Sequence, residues 1–229
     1  MASFKSWTLT NYRLNVAATH EVCEAARLNG VKRIVFGSSA AVYGACDNLP
    51  LKETAPTIAI SQYGAAKRIS EQILASYGTS YGLDTTSLRF FNVYGPRQDP
   101  KSPYSGVVSI FCDRFLDGHA AKIFGDGSQS RDFVYVSDIA QLVALAATSP
   151  EPAVGIFNCC TGRPTSLLDL VAILGATIPG VPAPVHEPPR VGDIEHSHGD
   201  PSALEEAVGL KLDTPLAVGL EALVNSLRP

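Results

Sequence analysis

Tyr63-Gly-Ala-Ala-Lys67 is the sharpest chemical feature of this 229-residue sequence, and the chain holds no second Tyr-x-x-x-Lys. On a helix, positions i and i+4 share one face, so the phenol and the ammonium can point into one site. A phenol near its ordinary pKa of about 10 is a poor base at neutral pH. A fixed cation beside it favours the phenolate, so Lys67 is expected to lower the pKa of Tyr63. Lys67 can also hold ribose hydroxyls, and Tyr63 can accept and return a proton on a sugar hydroxyl. Taken alone, the pair reads equally well as a solvated lysine one turn from a helical tyrosine.

Two more polar groups stand at strand ends. The run Ile34-Val35-Phe36 delivers Gly37-Ser38-Ser39, where a hydroxyl can share the substrate's hydrogen bond with Tyr63. The run ending Arg89-Phe90-Phe91-Asn92 brings up an amide. In a parallel sheet such ends lie along one edge, so three polar side chains from separate segments converge there.

The elements that must position them alternate helix and strand, which predicts an α/β fold around a parallel sheet. Thr10 to Leu28 reads as a helix stopped at Gly30, followed by a strand from Arg33 to Phe36. Ser61 is the expected N-cap of a helix running to Tyr81, with Gly82 ending it. Thr85 to Phe91 is the next strand, and Asn92 to Pro103 a loop. Gly106 to Asp117 reads as a helix; Lys122–Phe124 and Asp132–Val136 read as strands about a Gly-Asp-Gly-Ser turn. Asp138 to Ala147 is an expected helix capped by Ser137, and Gly155 to Cys159 a strand. Ser166 caps a helix to Leu174, Pro179 to Pro189 runs as loop or edge strand, and two short helices close the chain near 201–208 and 215–227. Residues 1–105 are expected to form the remaining part of a wound α/β, Rossmann-like domain, and residues 106–229 mainly a smaller lobe, with 131–160 returning to the sheet.

Bulk properties exclude several classes. Hydrophobic residues make up 45% and charged residues 17%, the profile of a packed globular enzyme. A net charge of −4 without a basic run leaves no electrostatic footprint for nucleic acid or an anionic membrane. Met1 to Leu9 has no apolar core segment and reads as neither signal nor anchor. The five Cys, odd in number and without a C-x-x-C, point to reduced, mostly buried thiols in a cytoplasmic protein. His196-x-His198 lacks further ligands at metal spacing, so no metal is expected.

Taken in order, these segments resemble the extended short-chain dehydrogenase/reductases, the NAD-dependent epimerase/dehydratase family, and within it the UDP-galactose (UDP-glucose) and UDP-N-acetylglucosamine 4-epimerases. Asn15-Val16-Ala17-Ala18-Thr19 is similar to the family's Asn-Val-x-Gly-Thr, with Ala18 in place of Gly. Ser38 to Gly44 resembles the catalytic serine loop, and Phe90 to Arg97 the substrate-and-cofactor strand. Gly125-Asp126-Gly127 with Arg131 to Val136 resembles the nucleotide-diphosphate site, and Arg190-x-Gly192-Asp193 a late phosphate-and-ribose clamp.

The resemblance implies catalytic roles for Ser39, Tyr63 and Lys67. It implies NAD contacts from Asn15, Ser39, Tyr63, Lys67 and Phe91. It implies a UDP-sugar held by Asn92, Val107, Phe124 against uracil, Arg131 and Arg190 on the diphosphate, and Asp193. Ser197 falls where relatives carry a bulky aromatic restricting the sugar's 2-substituent, so N-acetylated hexosamines are expected to fit as well as hexoses. Ala40 and Ala41 stand where dehydratases place an acid, which argues against dehydration. A transient 4-keto sugar follows from hydride transfer at C4. The helices over 10–28 and 61–81, the second with Ile69, Ile73 and Tyr77 as an apolar stripe, resemble those that pair in family homodimers.

One departure is large. The chain contains no Gly-x-x-Gly-x-x-Gly, the loop that sets a cofactor pyrophosphate on a helix N-terminus. The N-terminal strands of the doubly wound sheet are expected to be missing with it. A truncated piece inactive alone, a subunit completed by another chain, or a decayed protein would each account for this. The same Tyr and Lys would also serve a nucleotide-4-keto-sugar reductase or a UDP-uronate 4-epimerase. A non-catalytic nucleotide-sugar-binding module stays open as well.

Overall fold

The structure, a computed structural model, describes residues 8–102, 106–190 and 192–228. Met1 to Trp7, and with them most of the segment read as carrying no leader, lie outside the described residues, as does Pro103. In chain order the first elements are α1 (Thr8–Tyr12), a π-helical turn (Arg13–Ala17), α2 (Ala18–Leu28), β1 (Arg33–Ser39) and α3 (Gln62–Tyr81). There follow β2 (Asp84–Phe90), β3 (Asn92–Tyr94), α4 (Val107–Leu116), β4 (Lys122–Phe124), β5 (Ser130–Tyr135) and α5 (Val136–Thr148). The remainder are β6 (Gly155–Cys159), β7 (Pro164–Ser166), α6 (Leu167–Thr177), β8 (Val185–Glu187), β9 (His196–Ser197), α7 (Ser202–Val208) and α8 (Leu216–Leu227).

The chain divides into two compact units. Among the described residues the first comprises 8–90, 141–159 and 200–211. Its sheet is wholly parallel, in the order β1-β2-β6, with Ser39 opposite Phe90 and Phe90 opposite Cys159. This is the expected α/β arrangement. Helix α3 packs on β1 and β2, and α2 lies against α3. Alternation along β1 sends Ile34 and Phe36 onto Cys23, Leu74, Tyr77 and Ile73. Ile73 and Tyr77 therefore serve the core, and of the expected apolar stripe Ile69 alone is exposed.

Local chemistry sets the bounds of α3. The Ser61 hydroxyl accepts the Gly64 N–H at 3.1 Å, and Gly82 ends the helix at φ +69°, where a side chain would strain the backbone.

Among the described residues the second unit comprises 91–102, 106–140, 160–190, 192–199 and 212–228. Strand β5 pairs parallel with β3 and β9 and antiparallel with β7, and β4 pairs with β8. Helices α4, α6 and α8 close on a core of Phe111, Phe115, Ile123, Leu170, Leu174, Leu220 and Leu223. Ser166 and Asp169 form a reciprocal capping box at the start of α6. Of the stretch 131–160, Gly155–Cys159 joins β2, whereas Ser130–Tyr135 pairs with β3.

Three details differ from the sequence reading. The stretch after Phe91 holds a strand, β3, rather than a continuous loop. Ser137 is not a cap, because β5 runs directly into α5, whose first residue is Val136. The short strands β7 and β9 carry too few residues for a period-2 pattern to appear.

Candidate active site

In the first unit, β1 and the N-terminal turns of α3 bring Ser39, Tyr63 and Lys67 together. The Ser39 side chain bonds that of Tyr63 and also accepts the Ala41 N–H at 3.2 Å, fixing the hydroxyl at the start of a short 3₁₀ turn. The Lys67 ammonium donates to the Gly37 carbonyl at 2.8 Å. It lies 4.8 Å from the centroid of Phe36 and 5.7 Å from that of Tyr63. Close packing enforces this approach: a Cβ on Gly64 would run into the Ala41 carbonyl, so only glycine lets α3 come so near the serine loop.

The electrostatics differ from expectation in one respect. Burial pushes the Tyr63 phenol above its ordinary value, the Ser39 hydrogen bond opposing it. Burial also lowers the Lys67 pKa. Removal of both groups from water sets these directions, in place of the lowering of Tyr63 by Lys67 expected from the sequence.

Asn15 sits in the π-helical turn, a local widening of the helix that recurs at functional sites. Its amide donates to Asn11 Oδ1 at 2.7 Å, and its carbonyl accepts from Ser70 at 3.2 Å, tying the turn to α3.

Beneath the serine loop lies a buried polar network that the sequence reading missed. Glu71 accepts Ser38 Oγ at 2.6 Å and a bidentate pair from Arg89 at 2.8 Å each. Arg89 also donates to the Tyr43 hydroxyl at 2.9 Å, and Tyr43 donates to Asn158 at 2.6 Å. Every member is paired, as buried polar groups require. The signal was present: Glu71 stands four residues after Lys67, a charge on the inward face of a helix.

The second unit holds a cavity of about 760 Å³ bounded by Phe124 to Asp126, His186, Arg190 and Asp193. Arg190 stacks on Phe124, its guanidinium carbon 3.6 Å from the ring centroid. Arg131 reaches the wall indirectly, donating to the Glu195 carbonyl at 3.2 Å and to Asp193 at 3.4 Å. His186 shares a 2.7 Å hydrogen bond with the Gly125 carbonyl and was not foreseen as lining.

The remaining expected residues lie elsewhere in this unit. Asn92 is in register with Phe133 on β3, and Ser197 with Arg131 on β9. Val107 packs against the apolar core. Phe91 is buried, with Gly199 so close that a Cβ there would stand 2.6 Å from the ring. Among the described residues no cluster of His, Cys, Asp and Glu could hold a metal, and no helix is long and apolar enough to cross a membrane.

Residues 3–160 match the model of the NAD dependent epimerase/dehydratase family. The chain is 38% identical over 216 residues to the UDP-glucose 4-epimerase of Mycolicibacterium smegmatis, covering 94% of this chain and 68% of that one. Its structure is similar to that of a UDP-N-acetylglucosamine 4-epimerase from Methanobrevibacter ruminantium in complex with UDP-N-acetylmuramic acid. That similarity has a TM-score of 0.92 at 36% identity, covering 99% of this chain and 73% of the other. It is also similar to the Thermotoga maritima UDP-glucose 4-epimerase with UDP-glucose. There the TM-score is 0.91 at 35% identity, with 98% and 72% covered.

Proposed function

We propose, from the premise that this chain belongs to the NAD-dependent epimerase/dehydratase family, that it acts as an NAD-dependent UDP-sugar 4-epimerase. Its substrates are UDP-glucose and UDP-galactose, together with their N-acetylated counterparts. The observation that carries this reading is the Ser39–Tyr63 hydrogen bond with the Lys67 ammonium beside it.

Tyr63 takes the proton from the sugar 4-hydroxyl, while Ser39 holds the same oxygen and orients it. Tyr63 does this as the phenolate, which the Lys67 ammonium stabilises, and becomes the neutral phenol as the proton arrives. Tyr63 returns the proton once the 4-keto sugar has presented its other face. NAD supplies the acceptor and donor of hydride at C4 when bound.

The residues present fit the nicotinamide-ribose end of that cofactor. Among the described residues the Gly37 carbonyl is the one hydrogen-bond partner of Lys67, and an ammonium carries three donors. Two therefore remain for ribose hydroxyls, with Asn15 and Phe91 completing the cofactor contacts. For the nucleotide, Phe124 takes uracil, Arg131 and Arg190 the diphosphate, and Asp193 the ribose. Asn92, Val107 and Ser197 face the sugar in this reading.

A second reading, a non-catalytic nucleotide-sugar-binding module, is favoured by one fact: the residues bounding the cavity all belong to the second unit. One experiment separates them. The purified chain is titrated calorimetrically with UDP and with NAD, then incubated with NAD and UDP-galactose. UDP-glucose appearing without accumulation of NADH supports the epimerase. UDP binding without turnover supports the module, and binding of neither ligand overturns both.

The reading extends to a homodimer through α2 and α3, supported by the exposed apolar side chains of Val22, Leu28 and Ile69. It also places the protein in the cytoplasm, where its five free cysteines would stay reduced.

A further inference from the structure

The ring that would receive the nucleobase already has a partner. The Arg190 guanidinium lies 3.6 Å from the Phe124 centroid, the separation at which a base itself stacks. One face of the ring cannot hold both. The same arginine is also the sole Lys or Arg among the residues lining the cavity, whose wall carries the carboxylates of Asp126, Glu187, Asp193 and Glu195. Lys122 approaches Glu187 at 3.9 Å and Arg131 engages Asp193 at 3.4 Å, so two of the four are partly offset by cations outside the lining. A diphosphate entering here needs cations that face it; Arg131 is already engaged by Asp193 and the Glu195 carbonyl, and Arg190 is the cation of the lining that can turn to join it.

The backbone leaves that option open. Arg190 and Asp193 close one turn, the Asp193 N–H meeting the Arg190 carbonyl at 3.3 Å. Asp193 is pinned by Arg131, while the Arg190 side chain is solvent-exposed. The guanidinium can therefore leave the ring by side-chain rotation, without moving the turn.

We propose that Arg190 is an exchangeable occupant of the base site that makes nucleobase entry and diphosphate capture one coupled event. The base displaces the guanidinium from Phe124, and the freed guanidinium swings onto the phosphates. A nucleoside without phosphates displaces Arg190 and gives it nothing in return; a nucleoside diphosphate repays the displacement with a charge-assisted contact. The site thereby selects diphosphorylated nucleosides over nucleosides by more than simple attraction. This rests on the assignment of the cavity to the nucleotide.

The test is calorimetric titration of the whole chain and its Arg190→Ala variant with uridine and with UDP. Because Arg190 is exposed, the variant is expected to fold, and Arg190→Lys serves as the conservative control. Expected for Arg190→Ala are uridine binding at least about threefold tighter and UDP binding at least about tenfold weaker. Arg190→Lys should recover part of the UDP affinity. Uridine affinity unchanged or weakened in Arg190→Ala overturns the exchange, because the arginine would then be only a phosphate ligand or a stacking partner of the base. UDP failing to bind the unsubstituted chain removes the nucleotide assignment itself, and the exchange with it.

Discussion

Ser39 and Tyr63 are joined side chain to side chain, although one ends a strand and the other opens a helix. Because the Ser39 oxygen also accepts the Ala41 N–H, its remaining direction is fixed toward the phenol. Tyr63→Phe is expected to cut UDP-galactose conversion by roughly 10²–10⁴-fold, the usual worth of a positioned acid–base group. UDP affinity should be unchanged by calorimetry. Ser39→Ala should lower the rate less. A Tyr63→Phe variant that retains full turnover would remove Tyr63 from the mechanism.

Gly64→Ala tests the packing that brings the two residues together. The added methyl would collide with the Ala41 carbonyl, so α3 must move away from the serine loop. We expect a loss of about 1–3 kcal/mol in denaturant unfolding, the usual cost of overpacking, together with loss of turnover. Unaltered stability would mean that the loop yields freely.

The Arg89–Glu71 pair is fully buried, with side-chain exposures of 2% and 0%. Arg89→Met leaves the Glu71 carboxylate without its bidentate partner, a loss expected to cost about 3–5 kcal/mol. The double variant with Glu71→Gln should lose less than the two single losses added together, because the charge left stranded is then gone. Strict additivity in equilibrium unfolding would contradict the network.

Arg27 holds the Glu24 carboxylate at about 2 by hydrogen bonding, with Tyr77 contributing, against an ordinary value of 4.5. A depressed native pKa stabilises the fold above the unfolded value, and that stabilisation fades as the pH falls toward the native one. Glu24→Gln should therefore lower the melting temperature at pH 7, and the gap to the unsubstituted chain should narrow between pH 4.5 and 2. A gap of constant width across that window, followed by circular dichroism, would speak against the linkage.

Ser197→Tyr is expected to lower affinity for UDP-N-acetylglucosamine relative to UDP-glucose by roughly tenfold, the scale of a steric exclusion in a pocket. Ser197 is half-buried beside Arg131 on the β5–β9 pair, where a larger side chain alters space rather than fold. An unchanged ratio of the two affinities would place the discriminating position elsewhere.

Much of the framework was legible because its causes are local. Ser61 and Gly82 bound α3 through bonds reaching only three or four residues. Ser166 and Asp169 announce α6 in the same way. Strand β2, by contrast, is filled with Thr85, Thr86, Ser87 and Arg89, all buried. Thr86 and Arg89 are tolerable there because partners far along the chain, the Ala153 carbonyl and the Glu71 carboxylate, bond them, which no local pattern reveals.

The sequence by itself determined that Tyr63 and Lys67 share a helical face and that a hydroxyl at Ser39 ends a parallel strand, since both follow from the periods of helix and sheet. Tertiary structure alone decided the direction of the Tyr63 pKa, because burial is a property of the packed molecule. It also decided that Glu71 anchors Ser38 and that Arg190 rests on Phe124. Those contacts join residues tens of positions apart, and only the closed chain sets the distances between them.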